Sequence, residues 1–62
     1  MNELQISFEL TEQEAWDYAQ FLKRVGFQEF RANAQDDEEA YRMIAVSEKI
    51  RQAIRDVGIN PR

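Results

Sequence analysis

Residues 4–10 read Leu-Gln-Ile-Ser-Phe-Glu-Leu, apolar and polar in strict alternation. Successive side chains of an extended backbone point to opposite faces, so this is the pattern of a half-buried strand. Leu4, Ile6, Phe8 and Leu10 would face a core; Gln5, Ser7 and Glu9 would face water or a ligand. The backbone N–H and C=O groups of a strand need partners. No second segment of the chain carries the same alternation. Either the segment is simply extended and packed on helices, or it pairs antiparallel with its counterpart in a second copy across a twofold axis. The accounting of backbone groups favours the latter and predicts a homodimer joined through Leu4, Ile6, Phe8 and Leu10.

The rest of the chain reads as helix. Thr11 and Glu14 have the spacing of a capping box. Behind them Ala15, Tyr18, Ala19, Leu22 and Val25 recur at helical spacing, with Phe21 widening that face and Trp16 on its other flank. Glu12 and Glu14 in the first turn, with Lys23 and Arg24 in the last, suit the helix macrodipole. Gly26 is placed to close the helix in a left-handed conformation. Phe27 and Phe30 would anchor a short helical turn, and Asn33 to Asp36 read as a loop. A second long helix starts near Asp36 or Asp37 and runs to Val57. Its apolar stripe is Met43, Val46, Ile50, Ala53 and Val57, flanked by Ile44, Ser47 and Ile54. Gly58 is its expected cap, with Ile59 folding back as the apolar contact of a Schellman motif.

The expected fold is therefore α+β, mainly helical, in β-α-α order. The strand lies at about 4–10, helix 1 at about 12–25, a short turn within 27–33 and helix 2 at about 37–57. Residues 1–62 form a single small domain. A chain of 62 residues buries a smaller fraction of its surface than a larger domain does. With no cysteine and no histidine, it lacks a disulfide or a soft-metal site to compensate. Helix packing and a partner subunit remain as sources of stability.

The same absences bear on function. Nucleophilic catalysis needs an activated side chain beside a base, and the commonest bases and thiols are missing. No catalytic residue, cofactor or metal is expected. The net charge of −4 opposes a broad nucleic-acid footprint. No stretch reads as a signal peptide or a membrane span, which makes the cytoplasm the expected location.

Three features are candidate contacts. The run Asp36-Asp37-Glu38-Glu39 falls where acids cap and stabilise a helix N-terminus. Its sharper reading is a negative surface for a basic partner protein, joined by Glu3, Glu9 and Glu29. Trp16 reads either as a cover for a small core or as a partly exposed anchor for another protein. The strand is the third. A β-α-α chain paired through its strands is the plan of ribbon-helix-helix regulators, in which Gln5 and Ser7 would read bases in the major groove. Against that alternative, Glu9 repels phosphates and the strand carries no Lys or Arg.

The runs Phe8-Glu9-Leu10-Thr11 through Ala15-Trp16, Phe21 through Phe27, and Asp37-Glu38-Glu39-Ala40-Tyr41 resemble a family of short uncharacterised proteins carried by proteobacterial phages, plasmids and integrated mobile elements. The resemblance spans nearly the whole chain and brings no catalytic or binding residue with it. It implies a role of the kind such elements encode, as a regulator or inhibitor of host systems, anti-defence factors included. Taken together, the expectation is a non-enzymatic acidic protein-binding module, an accessory or inhibitory factor of a mobile element, with Trp16, Asp36, Asp37, Glu38 and Glu39 as contacts. The ribbon-type DNA-binding regulator is the alternative.

Overall fold

The computed structural model describes residues 2–61. It contains three helices: α1 at Glu12–Arg24, α2 at Phe27–Ala32 and α3 at Asp37–Asp56. Helix α3 is the spine, packing against α2 and α1 separately. Residues 2–10, in neither helix nor strand, form an arm that leads into α1.

The arm overturns the expected α+β class. No strand exists among the described residues, so the order is an arm followed by three helices, and not β-α-α. A strand is defined by a backbone ladder, and this chain offers the arm no extended neighbour with which to form one. The expectation that the arm's apolar face meets a core also fails. Leu4 is 84% exposed, Ile6 76%, Phe8 64% and Leu10 44%. The strand-paired ribbon inferred from the alternation, and the strand-joined dimer built on it, therefore fall with the strand.

Helix α1 starts as its sequence dictates. Thr11 is extended at φ −68°, ψ 162°. Its Oγ1 accepts from the Glu14 N–H at 3.1 Å, and its own N–H donates to Glu14 Oε1 at 2.8 Å. The capping box is complete, satisfying two donors that the helix cannot pair internally. The helix ends differently from expectation. Val25 is the C-cap, in extended conformation, its N–H donating to the Phe21 carbonyl. Gly26 has φ −107° and serves as the N-cap of α2, where its N–H donates to Glu29 Oε1 at 3.2 Å. The left-handed closure expected at Gly26 does not form, because the chain begins a new helix at once.

The segment 27–36 is more ordered than a bare turn. Phe27 stacks at 5.6 Å on Tyr41 of α3. Asn33 Nδ2 donates to the Glu29 carbonyl at 2.8 Å, covering the end of α2. Arg31 then ties the loop down: Nη1 donates to the Ala34 carbonyl at 3.0 Å and Nε to Asp37 Oδ1 at 2.8 Å. At the far end of α3, Gly58 takes φ +97°. The Gly58 N–H donates to the Arg55 carbonyl and the Ile59 N–H to that of Ile54. Those are the two bonds of a Schellman motif, and Ile59 packs back on the core beside Ile54.

The core itself is thin. Ala15, Ala19, Leu22, Ala40 and Ile54 are buried, and no large side chain is completely covered. Ala15, Ala19, Leu22 and Ile54 form one cluster, with Ile50 and Ile59 against it. Alanines let α1 approach α3 closely but contribute little apolar area. On α3 the best-covered line runs Ala40, Ile44, Ser47, Arg51, Ile54. That line sits about 100°, or one residue step, from the stripe Met43, Val46, Ile50, Ala53, Val57. The expected core stripe is only partly covered: Ile50 packs against the core and Met43 is half-buried, while Val46 is 52% and Val57 74% exposed.

Candidate functional site

The partly open stripe of α3 does not stand alone. Val46, Ile50, Ala53 and Val57 line one wall of a groove of about 1040 Å³. The arm lines the same groove through Leu4, Ile6, Phe8 and Leu10, together with Ala15 and Trp16 of α1. The alternation of the arm has a purpose here without a sheet. All four alternating apolar residues of the arm line one groove, with Ser7 among them. Trp16 is 37% exposed and belongs to the same face. The structure thus brings together the residues expected as a dimer strand and the aromatic expected as a protein anchor.

Among the described residues, two charged ones, Glu12 and Lys49, line this groove. Its hydroxyls are Ser7 and Thr11, and Thr11 is committed to capping α1. The groove can bury apolar surface. It holds no convergent set of polar groups of the kind that orients a small substrate. Ile59, expected only as the apolar contact of a Schellman motif, and Lys49 also line the groove; the spacing of the α3 stripe marked an apolar face but not what lies against it.

The acidic run sits apart, and none of its four residues lines the groove. Asp36 caps α3, its Oδ1 accepting from the Glu39 N–H at 2.8 Å. Glu39 Oε1 accepts from the Gln35 N–H at 2.9 Å. Asp37 pairs with Arg31 at 2.8 Å, both side chains being substantially exposed. Glu38 is exposed. Three of the four acids are thus engaged in starting α3 and holding the loop before it. Among the described residues, no group of three or more acidic side chains is placed to hold a metal ion. No helix among them is long and apolar enough to cross a membrane.

The DNA-reading alternative required a two-stranded ribbon carrying Gln5 and Ser7. The ribbon is absent among the described residues, and Ser7 lies along the apolar groove. That alternative loses its structural basis.

Neither a curated protein nor a solved structure matches the chain. A protein-family model does match, over residues 1–62, and the chain accordingly belongs to DUF7706, a family of unknown function.

Proposed function

We propose that the chain is a non-enzymatic acidic protein-binding module whose contact surface is the groove between the arm and the helices. The observation that carries this reading is surface that the fold leaves uncovered. A compact monomer of 7.4 kDa exposes about 4200 Å². This chain exposes 5535 Å², an excess of about 1300 Å². Its radius of gyration is 12.8 Å, against about 10.5 Å for a compact chain of this length. Much of the surplus is apolar and contiguous: Leu4, Ile6, Phe8, Trp16, Val46 and Val57 border one groove. Apolar patches of that kind mark interaction sites on soluble proteins.

With the groove occupied, the acids of 36–39 remain outside it, where charge favours a basic protein as a further partner. A role as accessory or inhibitory factor of a mobile element fits a small binding module and is supported by the sequence resemblance. The test is co-purification from the source cell, comparing the wild-type chain with Phe8→Glu and with a control, Gln28→Glu, on α2. Proteins recovered by wild type and control but lost with Phe8→Glu support the reading, and the untagged chain itself counts among them. Identical recovery with all three removes the groove as the contact surface.

A further inference from the structure

Resting on that reading of the groove as a contact surface, we infer that its occupant is a second copy of this chain, so that the protein is a homodimer packed groove to groove. Three observations favour an identical partner. The first is area. Leu4, Ile6, Phe8, Leu10, Trp16, Val46 and Val57 are between 37% and 84% exposed. At about 150–250 Å² for a fully exposed large side chain, they offer on the order of 800 Å² per copy. A stable interface of standard size buries about 800 Å² on each partner.

The second is the thinness of the core. Three of its five buried residues are alanines, and no large side chain is fully covered. A chain of this length is marginal even with a good core, and nothing in its sequence supplies a disulfide to compensate. A partner that supplements so thin a core would have to be present whenever the chain is folded. A second copy is available wherever the chain is made, whereas an unrelated protein is not; folding and association are then linked by mass action.

The third is charge. Each copy carries −4, which opposes association in general. Among the described residues, the charged lining of the groove is balanced, with one acid, Glu12, and one base, Lys49. In a twofold arrangement, whatever faces Lys49 in one copy is repeated for the other. A face of balanced charge on a chain of net −4 suits an identical partner. A strongly basic partner gains nothing there.

Trp16 provides the readout. It is the sole tryptophan, it borders the groove, and its emission reports burial. Sedimentation equilibrium should give twice 7.4 kDa. On dilution, Trp16 emission should shift to the red as the mass falls, and the melting temperature of the wild-type chain should fall with it. Phe8→Glu and Val57→Glu change exposed groove residues on two separate walls, one from the arm and one from the end of α3. Each should raise the dissociation constant about tenfold or more, whereas Phe21→Glu, outside the groove, should not. A wild-type chain that stays at 7.4 kDa up to about 1 mM, with a melting temperature independent of concentration, overturns the second copy. So does a dimer unaffected by both wall substitutions. If that monomer still binds anilinonaphthalene sulfonate, and Phe8→Glu abolishes the binding, the groove remains a contact surface and only its occupant is wrong. A monomer that binds no dye overturns both readings.

Discussion

Gly58 and Gly26 look alike in the sequence, each following a helix, but their backbones ask different things of a side chain. Gly58 holds φ +97° and closes a Schellman motif. An L-residue is strained there, so Gly58→Ala should destabilise the fold by about 1–2 kcal/mol, read from the denaturant midpoint. Gly26 has φ −107°, and a Cβ there would meet nothing nearer than Glu29 Oε2 at 3.5 Å. Asp36 presents a second residue-scale choice, between capping and recognition. Its carboxylate accepts from the Glu39 N–H. Asp36→Ala should cost about 1 kcal/mol, whereas Asp36→Asn, an equally good cap without the charge, should cost almost nothing. Circular dichroism during urea unfolding checks both. Partner binding lost equally in the two variants, despite their different stabilities, would point to a role for the charge itself.

At the scale of elements, the helices were readable because their ends carry local chemistry. Thr11 with Glu14 marks the start of α1, Asp36 that of α3, and Gly58 with Ile59 the end of α3; each works through hydrogen bonds to residues a few positions away. The apolar face of α1 was readable in part. Ala15, Ala19 and Leu22 are buried as its periodicity implies, while Tyr18 and Phe21 stay half exposed and stack on each other at 5.5 Å. What periodicity does not contain is which of two adjacent apolar lines on α3 meets α1. The close approach through Ala15 and Ala19 selects the Ile54 side and leaves the Val46 and Val57 side open. That approach is testable. Ala19 is 2% exposed, so Ala19→Leu should force the helices apart and cost about 1–3 kcal/mol in thermal or chemical unfolding. The arm was misread for a related reason. Alternation states only that every second residue is apolar, and a groove beside helices takes those side chains as well as a sheet does.

For the whole molecule, charge and apolar surface act in opposite directions. Twelve acids against eight bases give the chain its net −4, and in the proposed dimer two copies would bring that charge together. Salt screens such repulsion between exposed charges over about 10 Å at 0.1 M. Raising salt from about 0.01 to 0.15 M should therefore tighten self-association severalfold by sedimentation. Association held instead by ion pairs would weaken. The flat outline, 34 × 30 × 14 Å, has the same origin as the surplus surface: α1 and α2 both lean on α3 without meeting each other, and the arm extends from them.

Residue order alone settled where α1 and α3 begin and where α3 ends, that apolar side chains alternate along the arm and share a face along α3, and that the chain has no cysteine or histidine. Those properties depend on neighbours within a few positions, whose geometry is the same in any fold. Tertiary packing decided which faces meet. It paired the alanines of α1 with Ile54, turned the Val46–Val57 stripe toward the arm, and joined two apolar surfaces separated by more than thirty residues into one groove. That outcome depends on how closely two helices can approach in space, a quantity no local pattern carries.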